Sequence, residues 1–468
     1  MAMHAPDSRP QILIVGAGFS GTMIAAHLLR DAPRPGLRVL LVERRSRIGR
    51  GLAYHTWDDN LLLNVPAGNM SALPDEPGHF VAYLRNIDPA FNAGSFVSRR
   101  IYGDYLESTL ASAERAGAST LERLHAEVVA IRHDPRAAGF TVTLADGRHL
   151  GADHVVLAFG HFAPQDPPMT GAHAAANAYI GNSWDFDAID RTDAGRPAAV
   201  LGAGHTGIDV VFRLTRNSDT RQVFLISRRG LLPHGHRFNP KAPAPGGYPA
   251  YLQETPPTLR AQFRAIRREA ERKMAAGEDW RDVINELRAH TPGIWQRLSH
   301  ADRRKFLGRV VPYWDIHRHR LAPAAALRLE HMLKSGQVEV IAGHIQALER
   351  RGDALTVVVR QRRGGKLREL EVGAAVNCTG PNYDIARLTT PLIAQLRDDG
   401  LIRQDPLRLG LEIDEHYRVA PRDGAPASGL YYAGPMLKAR YWEAIAIPEL
   451  RVHAQRLAAL LATAVARV

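Results

Sequence analysis

The sequence predicts an α/β protein with two Rossmann-like dinucleotide-binding domains, the second inserted in the first and carrying a helical insertion. Three observations predict it. The run Ile12-Leu13-Ile14-Val15 leads straight into Gly16-Ala17-Gly18-Phe19-Ser20-Gly21. The run Ala198-Ala199-Val200-Leu201 leads into a second copy of the same design, Gly202-Ala203-Gly204-His205-Thr206-Gly207. Both read as strand, tight turn and helix start. The chain, at 468 residues, is also too long for one hydrophobic core.

Each glycine has its own task. The first permits the turn, the second lets backbone approach a pyrophosphate, and the third lets helix pack on strand. The N–H groups and the dipole at the helix start favour phosphate charge. Gly16, Gly18, Gly21, Gly202, Gly204 and Gly207 are therefore candidate cofactor-binding residues. Two such sites imply two dinucleotides and electron transfer between them.

The two sites differ where a ribose would be read. The first is followed by the strand Arg38-Val39-Leu40-Leu41-Val42, which ends at Glu43. A carboxylate there accepts hydrogen bonds from ribose hydroxyls, which suits the unphosphorylated adenosine ribose of FAD or NAD. The matching strand of the second site, Val223-Phe224-Leu225-Ile226, ends in Ser227-Arg228-Arg229-Gly230 with no carboxylate. Arg228 and Arg229 suit a 2′-phosphate, because guanidinium binds phosphate bidentately, although the same pair could equally be solvated. The first site is thus expected to hold FAD and the second NADPH.

The remaining elements follow in order. Residues 11–30 and 38–43 read as a βαβ start, and 44–125 as mixed loops and helices. Short strands are expected at 127–132, 140–144 and 154–158, two of them joined by the turn Ala145-Asp146-Gly147-Arg148. A Pro-rich stretch through Pro168 reads as a crossover. Residues 231–336 read as largely helical apart from the Pro/Gly-rich loop 239–249. A meander follows, with strands at 338–341, 355–360, 367–372 and 374–377. A buried strand at 429–433 ends in Gly434-Pro435, and a terminal helix runs from about 448 to 468. These elements place an FAD-binding domain at 1–165 and an NADPH-binding domain at 190–380, with its helical insertion at about 240–336. The return to the first domain is placed at 381–468. The segments ending in Phe159-Gly160 and Thr379-Gly380 occupy equivalent places in the two units.

Composition removes several function classes. The formal charge is +12, yet only six of the 60 basic residues are lysine. In the densest stretch, 260–309, they alternate with Glu and Asp as on a solvated helix face rather than a nucleic-acid groove. No apolar run reaches the ~18 residues of a membrane span. The short polar start, Met1 to Pro10, lacks an apolar signal core, which points to a cytoplasmic location. Cys378 is the single cysteine, so dithiol reductase chemistry is excluded. His234 and His236 have no accompanying ligand at metal spacing, so no metal is expected.

Several further blocks carry a family likeness. They are Arg50-Gly51-Leu52-Ala53-Tyr54, Leu62-Leu63-Asn64-Val65-Pro66, Asp75-Glu76-Pro77-Gly78-His79-Phe80, Tyr313-Trp314-Asp315-Ile316-His317-Arg318-His319-Arg320 and Trp442-Glu443-Ala444-Ile445-Ala446-Ile447-Pro448. With the glycine motifs they cover nearly the whole chain. The sequence resembles the group of two-dinucleotide-domain flavoproteins that contains FAD-dependent urate hydroxylase and the aspartate N-oxidising, nitrosuccinate-forming flavin monooxygenase. Gly434-Pro435 departs from the Gly-Asp of many flavoproteins and leaves Gly434 as a close-approach residue.

The resemblance implies NADPH-driven hydroxylation, using O₂, of a small nitrogen-bearing substrate such as a urate-like purine or an amino acid. The cofactor carries the hard step, so the protein must orient substrate and exclude water. His317 offers an imidazole that can accept or donate a proton. Arg318 and Arg320 could pair with an anionic substrate, or all three could lie on a solvated helix face. Asn64 is placed beside the flavin ring or as a loop cap, and Glu443 near the flavin's pyrimidine edge. Two other classes use the same sites: a reductase or dehydrogenase without oxygen insertion, and a redox sensor that holds FAD without turnover.

Overall fold

The computed structural model describes residues 9–31, 36–134, 139–167, 178–238, 246–351, 354–424 and 429–465. Residues 1–8, the end of the expected Pro-rich crossover, most of the expected 239–249 loop and residues 466–468, expected to end the terminal helix, lie outside them.

Two parallel-stranded sheets organise the chain. The first has five strands, all parallel, in the order Leu430–Tyr432, His154–Leu157, Gln11–Val15, Arg38–Glu43, Thr120–His125. Its central residues Ile12, Leu13, Ile14, Val155 and Val156 are fully buried. Continuous apolar runs of this kind form strands covered on both faces. The helix Phe19–Asp31 provides one cover and packs on Arg99–Ala116 and on the terminal helix Ile447–Val465. The chain's last strand and helix thus complete the sheet that its first strand began.

The second sheet has seven strands in the order Leu367–Val372, Ala354–Gln361, Val338–Arg351, Val223–Ser227, Ala198–Leu201, Ala374–Asn377, Tyr179–Ile180. The 14-residue strand Val338–Arg351 does two jobs. Its first part, from Val338 to Ala342, runs parallel to Val223–Ser227. Its later part, from Gly343, runs antiparallel to Ala354–Gln361, so the meander is fused into the parallel sheet. Between residues 250 and 334 the described chain is largely helical, including Leu259–Ala275, Trp280–Leu287, Thr291–Arg297 and Val311–Arg318. A π-helical turn, Phe306–Val310, precedes the last of these. Pro312 has no N–H to donate one turn back, and a widened turn accommodates that lack.

The structure differs from the sequence reading in three strands. Thr120–His125 lies in the segment expected to hold only loops and helices. It is an edge strand with a mostly exposed burial pattern, so its apolar residues are too few to reveal it. The 145–148 turn joins Gly139–Leu144 to His149–Ala152, a third strand of a small antiparallel sheet with Val128–Asp134. His154–Leu157 belongs instead to the parallel sheet. The two-residue strand Tyr179–Ile180 starts the second sheet upstream of residue 190.

Candidate functional site

The two glycine turns are superimposable in their contacts. Gly16 has φ +102°, and a Cβ there would stand 2.9 Å from the Ala158 carbonyl oxygen. Gly202 has φ +119°, and a Cβ there would stand 2.2 Å from the Cys378 carbonyl oxygen. A Cβ on Gly21 would fall 1.9 Å from the Gly16 oxygen, and one on Gly207 would fall 2.0 Å from the Gly202 oxygen. The outer glycines of both motifs are dictated by backbone crowding. The middle ones are not. Gly18 would meet only the Gly51 Cα, at 3.6 Å, and Gly204 would meet nothing within 4 Å. Each turn therefore keeps open space in front of a helix start, the shape a pyrophosphate needs.

A cleft runs from the first turn along the sheet's carboxyl edge. Gly16, Gly18, Ser20, Glu43, Phe159 and Pro435 are among its walls. Glu43 is buried at the end of its strand. Its carboxylate accepts from the Ala17 N–H at 2.7 Å and the Arg45 N–H at 3.0 Å. These bonds lock the carboxylate onto the turn and leave its other lone pairs for hydroxyl donors. Gly434, which opens toward Pro435, has φ +155°, and a Cβ there would stand 2.7 Å from the Tyr432 hydroxyl. Among the neighbouring residues of the motif blocks, Arg50 is buried and held by Glu107 at 2.7 Å and by Asp104.

At the second turn Arg228 is exposed, and no ion pair engages it among the described residues. Arg229 is half-buried, with its guanidinium carbon 5.9 Å from the Tyr313 ring centroid. Ser227 Oγ accepts from the Gly230 N–H, which fixes the tight turn that presents the pair.

The residues expected to act on substrate separate in the structure. Arg318, expected to hold an anion, is buried with Nη2 3.0 Å from Glu443 Oε2 and 3.8 Å from Glu449 Oε1. Its charge is committed within the protein. Glu443, expected at the flavin edge, is 1% exposed and also accepts from Trp314 Nε1 at 3.0 Å. Its near neighbours Ile445 and Ile447, not Glu443, line the cleft. Arg288 joins the group through Glu449 at 2.5 and 2.9 Å. Together these pairs bolt the helical segment to the terminal helix.

Arg320 is buried and donates from Nη2 to Asn285, while its Nε and Nη1 have no hydrogen-bond partner among the described residues. Burial pulls its guanidinium down to about 10, with Arg318 and Arg281 adding to the effect. His317 lies away from the cleft, against His234 and Trp280 at ring distances of 4.7 and 4.9 Å. Asn64 is half-buried outside the cleft lining, and its carbonyl accepts from His236 at 3.1 Å. His234 and His236 therefore diverge into different packing environments. Cys378 is buried, and burial pushes its thiol well up.

The structure also gathers polar residues that sequence reasoning passed over. His161 lines the cleft, and its Nδ1 is 3.3 Å from the Tyr383 hydroxyl. Lys438 Nζ sits 4.2 Å from the Trp442 ring centroid and 5.7 Å from that of Tyr383. Burial lowers the Lys438 ammonium, opposed by Asp315 and Glu443. Burial pushes Asp315 up to about 6, opposed by Lys438. Burial, with Lys438 adding, pulls His161 down to about 4. His319 Nε2 lies 3.9 Å from Asp315, and burial holds its imidazole well below the ordinary value. One signal was available: a lysine directly after the last strand of a chain with very few lysines.

Ion pairs also cross between the units. Arg99 pairs with the half-buried Asp209 at 2.7 Å and Arg213 with Asp58 at 3.6 Å, while within the second unit His205 Nε2 bonds the His319 carbonyl at 3.0 Å. Burial raises the Asp209 carboxyl and lowers His205. Among the described residues no helix is long and apolar enough to cross a membrane.

Comparison with known proteins agrees with this architecture. Residues 13–162 match the family described as FAD-NAD(P)-binding. No curated protein sequence matches the chain. Among solved structures it is similar to the ornithine N-hydroxylase of Kutzneria sp. 744, with a TM-score of 0.66 and 16% identity over 98% of this chain and 99% of that one. It is similar to L-lysine 6-monooxygenase from Pseudomonas syringae, with a TM-score of 0.65 and 19% identity over 98% and 99%. It is also similar to the FAD-bound cadaverine monooxygenase of Erwinia amylovora, with a TM-score of 0.60 and 13% identity over 96% and 93%. The fold is thus the two-unit FAD/NAD(P)-binding architecture of flavoproteins.

Proposed function

We propose that the chain is an FAD- and NADPH-dependent monooxygenase that hydroxylates a small nitrogen-bearing substrate. The observation that carries this reading is the repeated turn: Gly16 against Ala158 and Gly202 against Cys378, each with a middle glycine facing open space. Two dinucleotide cradles in one chain serve hydride transfer from one cofactor to the other. The solved structures of similar fold are named for hydroxylation of ornithine, lysine and cadaverine, which supports nitrogen as the target. On this reading FAD occupies the unit formed by residues 1–165 and 381–468, and NADPH the unit at 190–380. Urate-like purines and amino acids remain the substrate classes to try first.

The residues present fit both groups. Gly16, Gly18, Gly21 and Gly434 would leave room for FAD, with Glu43 toward its ribose. Gly202, Gly204 and Gly207 would cradle the NADPH pyrophosphate, with Arg228 and Arg229 toward its phosphate. When bound, the reduced flavin supplies the activation of O₂. The chain's own residues do the rest. Phe159, Phe162 and Ile445 line the cleft and exclude water. Lys438 places positive charge behind the His161–Pro435 wall, and a substrate amine nearby would be favoured in its neutral, nucleophilic form. Both Arg318 and Arg320 keep two nitrogens without a hydrogen bond among the described residues, but Arg318 spends its charge on Glu443, so Arg320 is the better candidate for a substrate contact. Asn64 and His317 lie where they can shape the surroundings but not touch the cleft.

The test is isotopic. With heavy-isotope O₂ and NADPH, the product should carry one labelled oxygen atom. Multiple turnover in the absence of O₂, with the substrate as sole electron acceptor, would make the protein a reductase. FAD retention with no NADPH consumption for any substrate would make it a sensor.

A further inference from the structure

The helical segment encloses a second cavity of about 510 Å³, separate from the cofactor cleft. That volume lies in the range of small-molecule sites, roughly 300–1,000 Å³. Four tryptophans line it: Trp280, Trp295, Trp314 and Trp442. The amphipathic helix Leu259–Ala275 forms one wall, yet Gln262 is its sole buried residue. Its apolar residues Phe263 and Met274 remain 46% and 48% exposed at the mouth, as does Tyr313 at 44%. A helix whose apolar side faces a cavity instead of a core has surface left for a ligand.

The lining also says what kind of ligand. Among the described residues no carboxylate lines the cavity, and the one Arg or Lys side chain in its lining, Arg267, pairs with Glu271 at 2.8 Å. Nearby Arg320 and Arg281 add positive charge, which disfavours a cationic occupant. An anion would find no committed donor. Two polar groups are oriented: Gln262 donates from Nε2 to the Thr255 and Pro256 carbonyls, which leaves its buried Oε1 without a partner among the described residues, and His317 is held through Nδ1. His317 Nδ1 lies 2.7 Å from the Tyr313 carbonyl. A carbonyl only accepts, so Nδ1 carries the proton. In the neutral ring Nε2, on the opposite edge, is then an acceptor.

We infer that this cavity binds a neutral ligand of aromatic size that donates one hydrogen bond to His317 Nε2. The inference does not rest on the redox reading, because binding is measured without NADPH or turnover. The test uses the full-length, FAD-loaded protein and isothermal titration calorimetry with two probes, naphthol and its methyl ether. Naphthol should bind once per chain, and the ether about five-fold more weakly, since it has lost one hydrogen bond of about 1 kcal/mol. Ala270→Trp fills the cavity and should weaken both at least about ten-fold with flavin content unchanged. Should that variant fail to fold, Met274→Trp at the exposed mouth gives the same test. His317→Phe should reduce naphthol binding to that of the ether and leave the ether unaffected. Absence of binding, equal binding of the two probes to the native protein, or binding that survives both tryptophan substitutions would overturn the inference.

Discussion

The first and second glycine turns share one backbone solution and differ in what surrounds them. The first is walled in. Glu43 is tied back to the Ala17 N–H, and residues from the chain's far end, Pro435, Ile445 and Ile447, complete its cleft. The second is open where it matters, with Arg228 exposed beyond the strand end. A cofactor that stays needs enclosure, and one that exchanges every turnover needs an entrance. The structure thus suits a resident dinucleotide at the first site and a visiting one at the second.

The largest effects should come from the crowded glycines. Gly21→Ala and Gly207→Ala each place a methyl about where a carbonyl oxygen sits. Overpacking of this kind costs on the order of 1–3 kcal/mol or more. Thermal unfolding should show it in both, but only Gly21→Ala should also yield colourless protein. Equal flavin loss from both variants would break the assignment of FAD to the first unit. Gly204→Leu sharpens the contrast. Its Cβ meets nothing, so folding and flavin content should persist while the KM for NADPH rises.

The bolt between the units comes next. Arg318→Met leaves Glu443 buried without its cation, and breaking such a pair costs about 3–5 kcal/mol. The double variant Arg318→Met with Glu443→Gln should recover a good part of that loss in urea unfolding. If the double variant is no more stable than the single, the pair is not a unit.

Acid should loosen the structure gradually. Burial pulls His161 and His453 down to about 4 and His236 to about 3. All three lie below the ordinary histidine value of the unfolded chain. Their contribution is present above about pH 6.5 and is lost as pH falls through that value toward 4. Asp315 runs the other way: its carboxyl is raised to about 6, so its contribution is lost as pH rises from about 4 to 6. Histidine should dominate by number, and the midpoint of thermal unfolding should fall between pH 7 and 5. His236 bridges the units through Asn64, so His236→Gln should flatten part of that fall. An unchanged slope would show that the seam does not titrate.

The smallest effect concerns the open site. Replacing Arg228 and Arg229 together by alanine removes charge-assisted contacts of roughly 1.5–3 kcal/mol. The KM for NADPH should rise at least ten-fold while that for NADH stays the same. An equal rise for both would place the arginines on the pyrophosphate and not on the 2′-phosphate.

What the sequence revealed follows a physical rule. The glycine turns were legible because backbone crowding permits no other residue at Gly16, Gly21, Gly202 and Gly207. The strands ahead of them were legible because burial on both faces demands unbroken apolar runs. Thr120–His125 was not, because an edge strand needs few apolar residues. The polar group of His161, Asp315, Tyr383 and Lys438 was not legible either. Its members come from four distant segments, and only the fold brings them together. Arg318 and Glu443 read as a site because charge was visible, whereas their mutual burial was not.

One measurement bears most directly on the claim that two dinucleotide sites in this chain exchange electrons. FAD-loaded protein is mixed with NADPH under strict anaerobic conditions and the flavin's yellow absorbance is followed. The account predicts bleaching of the bound flavin by one equivalent of NADPH, and return of the colour when air is admitted. A flavin that stays oxidised in excess NADPH, with or without substrate, would contradict it.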